Sequence, residues 1–289
     1  MRRGWIIGLA VGLGLGQVSL AQAVLSGSAP EHVERGYAHL TQAHGTTASA
    51  ARERFLSLAL AAFKAAYQAE TALPTAQVQA LIGAAQAYLL VQSPRRVFPF
   101  LWQATPLQRA AKTLQQALVL QPDNAAAALL LGIVYRQQAT QAAGQQPEAL
   151  ARSQHYLTQA AAWGLPLQLP PLAAVTDTPG PGFNLGDTIL ALRYLDIQGL
   201  GSPRDLIFIY RSAARKAIFG SVVTGQQAHP LSVIPDTGAL ASEGLLEAIS
   251  TIPQPDERPL LVIHLRQGQQ ATGLTFLWDG RRFMPLPTP

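Results

Sequence analysis

Cysteine is absent from the 289-residue chain. That excludes a disulfide scaffold, a Cys-ligated zinc or iron–sulfur centre, a thiol nucleophile and a lipid-modified cysteine anchor. Charge is sparse as well, at 13% Asp, Glu, Lys and Arg against roughly 25% in ordinary soluble domains. Basic blocks are missing. The formal charge is +5, but it is scattered, and the nearest things to clusters are Arg95-Arg96 and Arg281-Arg282. A nucleic-acid binder needs a basic stripe to neutralise phosphates, so no nucleic-acid partner is expected. Past the N-terminus no apolar run is long enough for a membrane span. Apolar residues, by contrast, are plentiful at 48%. That is enough to bury a sizeable core and excludes global disorder. The length suggests about two domains.

The first residues read as a targeting segment. Met1-Arg2-Arg3 supplies positive charge, Trp5 to Gly16 is an apolar stretch, and Ala21-Gln22-Ala23 has the small-x-small form of a signal-peptidase site. The stretch is too short for a relaxed membrane span of ~20 residues, and its glycines make it a poor soluble helix. Residues 1–23 are therefore expected to be a cleaved signal peptide. The mature chain would begin at Val24, in the periplasm or outside the cell.

Residues 24–165 read as successive helices, rich in Ala and Gln and poor in β-branched residues. Helices are expected over Glu31 to Ala43, Ala48 to Leu73, Thr75 to Gln92 and Thr105-Pro106 to Gln121. A fifth follows Pro122-Asp123-Asn124 and runs to about Thr140, with Asp123 or Asn124 as its cap. A sixth ends at Gly164-Leu165-Pro166. Within them Ala110, Leu114, Ala117 and Pro122 are spaced by 4, 3 and 5, and Ala128, Leu131, Gly132 and Tyr135 follow. That stretch resembles the tetratricopeptide repeat (TPR) family, whose small residues let paired helices approach while Leu and Tyr fill the layer between them. Weaker echoes occur at Ala62, Ala66, Ala69 and Pro74, and at Leu157, Ala160 and Pro166.

The resemblance implies an antiparallel helix-pair superhelix with a concave face that binds protein. The residues it would offer to a partner are Gln79, Gln86, Arg136 and Gln137 on the first helices of the pairs. An inserted loop adds Arg95, Arg96, Phe98, Phe100 and Trp102. The rings of that loop read more readily as packing for the first helix pair, since exposed aromatic surface is costly without a partner. The final helix ends in apolar Ala162-Trp163, so the following half or the Pro-rich segment is expected to cover it.

Residues 166–182 contain five prolines and two glycines and read as a linker. Residues 183–289 read as a β-rich domain, one small antiparallel sheet with at least one helix, making the whole α then α+β. Strands are expected at Thr188 to Asp196, Asp205 to Tyr210, Ala217 to Val223, Pro259 to Leu265 and Gly273 to Trp278, with an Asp279-Gly280 hairpin turn into Phe283. Gly238 to Ser250 reads as a short helix. Setting Leu206 upon Leu260 aligns the strand sets at a shift of 54, which suggests a duplicated meander.

The loop from Asp196 to Asp205 resembles the calcium loop of FG-GAP (integrin-type) β repeats, with a shorter likeness at Pro255 to Leu260. The family's loop carboxylates ligate calcium. Here Gln198 and Leu200 stand at ligand positions, too few oxygens remain, and no tight calcium is expected.

Catalytic signatures are scarce. There is no H-E-x-x-H and no G-x-S-x-G. His32, His39 and His44 are spaced 7 and 5, not the 4 that aligns two metal ligands on a helix. Ser212-Ala-Ala-Arg215 misses S-x-x-K, and Ser221, His229 and Asp236 form a triad only arithmetically. The expectation is a non-catalytic, cofactor-free adaptor or scaffold for an envelope or extracellular protein. The alternative is an envelope hydrolase or ligand-binding protein with its site at the domain junction. A junction cleft gathering His and Asp would favour that alternative; a shallow groove of Gln, Ala and Leu would favour the adaptor.

Overall fold

Six helices are followed by eight strands in the computed structural model, which describes residues 27–69, 72–91, 104–141, 147–167, 183–199, 203–212, 217–231, 245–254, 258–267, 270–279, 281 and 283–286. The helices are α1 (Ala29–Gly45), α2 (Ser49–Gln68), α3 (Pro74–Leu90), α4 (Pro106–Leu120), α5 (Ala125–Gln141) and α6 (Pro147–Ala162). Their starts follow local chemistry. Ser28 with Glu31 and Thr105 with Gln108 form capping boxes ahead of α1 and α4. Pro74, Pro106 and Pro147 occupy first positions, where the missing N–H costs nothing. Of the two candidate caps of α5, Asn124 does the work: its Oδ1 accepts from Ala127 N at 2.9 Å. Helix α2 stops at Gln68 rather than running on to Leu73. Leu73 is the extended residue before Pro74, where proline's ring disfavours the helical conformation.

Each helix packs on the next, and α1 also packs on α3 and α3 on α5. Small residues set the spacing. The ring of Phe63 (α2) fills a slot between Gly36 (α1) and Gly83 (α3); a Cβ on either glycine would lie 2.5 or 2.2 Å from it. Gly132 meets Leu157 of α6 in the same way, at 2.7 Å, and its carbonyl accepts from Ser153 Oγ. Ala110, Leu114 and Ala117 are fully buried, and Ala128, Leu131 and Tyr135 are buried with them.

The strands form two four-stranded antiparallel sheets in sequential order: β1 (Thr188–Leu195), β2 (Asp205–Ser212), β3 (Ala217–Thr224) and β4 (Gln227–Pro230), then β5 (Leu245–Ile252), β6 (Leu260–Gln267), β7 (Gln270–Trp278) and β8 (Phe283–Leu286). The two meanders share details. Ile207 pairs with Val222 in the first and Leu261 with Phe276 in the second, a register that keeps the shift of 54. A bulge interrupts β1 between Ile189 and Ala191, and another interrupts β5 between Leu246 and Ala248.

Two expectations need correction. Residues 245–250, read as helix, are strand β5, and among the described residues no helix follows Ala162; residues 238–244 lie outside those described. Leu245-Leu-Glu-Ala has helical propensity, but pairing with β6 and burial of Leu246 and Ile249 override it. The second correction is that the strands make two sheets, not one.

The sheets and helices are layered. Leu206, Phe208 and Tyr210 of β2 face the helices and join one core with Ile82, Leu114, Leu130 and Leu157. Ile207 and Ile209 face the other way, into a second core with Leu261, Ile263 and Phe276 of the second sheet. The first sheet is thus the middle layer, except at α1, which also packs directly on β5 of the second sheet. The outer face of the second sheet carries exposed residues such as His264. The Pro/Gly-rich segment is clasped at its ends, where Phe183 N donates to Pro166 O at 2.9 Å and Phe183 packs edge-on against Phe208 and Tyr210. Leu165 is buried in the shared core. Gly164, at φ +93°, lies under the β3–β4 turn, where a Cβ would come within 2.5 Å of Gln226 O. The end of α6 is therefore covered by the first sheet.

In an exposed helix, Gly→Ala gains up to about 1 kcal/mol. Gly83→Ala and Gly132→Leu should instead lower stability, by about 1–3 kcal/mol or more, because the added atoms meet Phe63 and Leu157. Denaturant unfolding of both variants measures the sign directly.

Candidate functional site

Of the residues expected to meet a partner, the structure buries two. Gln86 of α3 lies beneath β1 and donates to Leu192 O at 2.9 Å. Gln79 is also buried, and its backbone carbonyl accepts from Tyr37 Oη at 3.4 Å. This is a correction: the first sheet occupies the helix face they belong to, so neither reaches a partner. On α5, Arg136 is half-buried and Gln137 is exposed. Arg95, Arg96, Phe98, Phe100 and Trp102 lie outside the described residues, as do the expected signal peptide and Asp236.

Several of the other singled-out groups have structural partners, whereas His32 is buried with its Nδ1 unpaired among the described residues. His39 stacks on Phe55 and contacts Gln42. His229 contacts Thr224 Oγ1 at 2.9 Å and packs edge-on against Trp278. Ser221 is buried on β3. Asp205 closes the β1–β2 connection: its carboxylate accepts from Ile197 N, Gln198 N and Gln198 Nε2 at 3.0, 3.2 and 2.8 Å. Its oxygens serve the loop itself. Burial raises its pKa, and those hydrogen bonds act in the opposite direction. Among the described residues no group of three or more His, Cys, Asp or Glu is placed to hold a metal.

Among the described residues, three places open to a ligand or partner stand out. The first is the outer face of α6. Ala149, Ser153, Leu157 and Ala160 turn inward. On the other side Leu150, Ala151, Gln154, His155, Thr158 and Ala162 line a shallow, mostly apolar groove of about 600 Å³. Its spacing of three and four was present in the sequence but was read only as a helix. At its inner edge Tyr135 stacks on Tyr156 at 5.8 Å, and the Arg152 guanidinium sits over Tyr135.

The second is a cleft of about 260 Å³ at the junction of helices and first sheet. Asp123 of the α4–α5 turn, Trp163 after α6, Tyr194 and Asp196 at the end of β1, Arg204 before β2 and Gln226 of the β3–β4 turn converge on it. Burial raises the pKa of Tyr194, and Asp123 adds to the rise. The sequence scatters these residues over a hundred positions, so no local pattern announces the cleft.

The third is a small cavity of about 20 Å³ among α1, α3, β1 and β5, lined by Tyr37, His44, Gln86, Arg193 and Ile249. Arg193 reaches across to both Glu34 oxygens at 3.1 and 3.0 Å and lies over the Tyr37 ring. Burial raises the pKa of Tyr37, against the pull of Arg193. Burial, with Arg52 and Arg211 nearby, lowers His44 to about 4.

A histidine with a depressed folded-state pKa is neutral in the fold and takes its proton more readily when unfolded. Stability is therefore retained above the unfolded value near 6.5 and falls as pH drops from there toward 4. The loss should reach about 3 kcal/mol at most. His44→Asn should flatten the stability curve across that window, which urea titrations at stepped pH measure.

Comparison with protein-family models, with curated proteins and with solved structures finds no match.

Proposed function

We propose that the protein is a non-catalytic binding adaptor whose six helices stack in the TPR manner and whose open contact surface is the outer face of α6. The stacking reading is supported by the packing of alternate helices as well as consecutive ones and by close glycine contacts at Gly36, Gly83 and Gly132. The observation that carries the function is the groove along α6. It spans about four turns of one helix. It presents Leu150, Ala151 and Ala162 among uncharged polar groups, and it ends the stack. The face that such an array would ordinarily offer is occupied by the chain's own first sheet. A straight apolar stripe of this length matches an amphipathic partner helix, recognised at i, i+3, i+4 and i+7. With the N-terminal targeting pattern, the partner would be an envelope or extracellular protein met in the periplasm or outside the cell.

A photo-crosslinker at Gln154 in the full chain tests this. Cross-links should fall at three- and four-residue spacing on one helix of one partner, and Ala151→Glu should remove them. Links to a second copy of this chain, links to its own residues 168–182, or no links would overturn the reading.

A second reading rests on the junction cleft, where two aromatic residues meet Asp123, Asp196 and Arg204. That combination suits a small polar ligand. Such a ligand should change Trp163 fluorescence in a chain whose three other tryptophans are replaced by Phe. A panel of small amines and amino acids that leaves the emission unmoved removes this reading.

A further inference from the structure

The small cavity between α1, α3, β1 and β5 has an unmet donor. Arg193 is 7% exposed. Its Nη2 spans both oxygens of Glu34, while its buried Nε has no partner among the described residues. A buried guanidinium N–H left bare is costly. The cavity of about 20 Å³ holds one small atom. We propose that it is a halide site, filled by chloride in ordinary media, with the ion accepting from Arg193 Nε–H and from an imidazole N–H of His44.

Arg193 Nε has no partner among the described residues, and His44 lines the same space. Gln86 donates to Leu192 O and is hydrogen-bonded to Tyr37, so it is already engaged. Thr41 also lines the space, but its hydroxyl donates to Tyr37 O, so it supplies none. Volume selects the ligand class: sulfate, phosphate and carboxylates are too large for a site of one atom. The surrounding charge is positive. Arg52 from α2 and Arg211 from β2 act on His44. Arg193 from β1 is balanced by Glu34, so the excess comes from Arg52 and Arg211. Helix α3 contributes uncharged Gln86, and the one charged residue of β5, Glu247, is paired with Arg266. An anion beside His44 would favour the imidazolium, so halide binding and protonation of His44 reinforce each other. The ion would tie α1 to the sheets at the seam where Gln86 and Arg193 already cross it.

The intact chain tests this in three ways. Melting in sodium chloride or bromide should exceed melting in sodium gluconate at equal ionic strength by roughly 2–4 °C. The gain should saturate and should be larger at pH 5 than at pH 8. The NMR pKa of His44 should rise in chloride relative to gluconate. Crystals soaked in bromide should show an anomalous peak in the cavity, beside Arg193. His44→Leu should remain folded and lose most of the halide shift; were it to unfold, the bromide peak and the gluconate comparison on the unaltered chain still decide. Equal melting in all three salts, or a cavity that holds water and no bromide, would overturn the proposal.

Discussion

The structure depends on a strand with no solvent face. Strand β2, Asp205-Leu-Ile-Phe-Ile-Tyr-Arg-Ser212, sits in the middle of the first sheet, and the first sheet sits between the helices and the second sheet. Alternate side chains serve two different cores: Leu206, Phe208 and Tyr210 lock onto the helices, while Ile207 and Ile209 lock onto the second sheet. Each such side chain contributes about 1.5–3 kcal/mol of burial. A one-residue slip of β2 would exchange the two sets and misfit both layers at once. The register of this one strand therefore couples the two halves of the chain.

The helical layer meets that strand only because its own helices lie close together. Phe63 can be a fully buried ring between α1 and α3 because Gly36 and Gly83 leave it a slot. Ala59, Ala66, Ala85 and Ala117 are likewise fully buried. Cores built from such small residues leave little room for compensation, so volume changes are felt directly. The layer is joined to the sheets by polar contacts as well as apolar ones. Gln86 reaches Leu192 O across the seam, and Arg193 reaches Glu34. These contacts orient the layers, which nondirectional apolar burial by itself does not do.

The same packing redistributes function. The helix face that carries Ile82 and Gln86, on which a partner was expected, is covered by β1 and β2. Among the described residues, the places left open include the far side of the last helix, the cleft where the turns of both halves converge, and one small cavity at the seam. On the proposals above they would take a helix on α6, a small polar molecule at the junction and a single ion between the layers.

Much of this was legible in the residues. Ala- and Gln-rich composition, three- and four-residue periodicity and the proline and glycine breaks placed six helices, because those signals act within a few residues of the backbone they specify. The apolar runs and the Asp279-Gly280 turn placed most of the strands, and the offset of Leu206 upon Leu260 announced two similar meanders. Residues 245–250 were misread because local propensity favoured helix while pairing with β6, a nonlocal contact, decided for strand. Gln79 and Gln86 were misread for the same reason: helical periodicity shows which face is special but not what covers it. The sequence by itself determined the elements, their order and the close approach at Gly132. Only the tertiary structure decided that the first sheet lies on the helices, because that contact joins side chains more than a hundred residues apart, such as Gln86 and Leu192, and no local pattern encodes it.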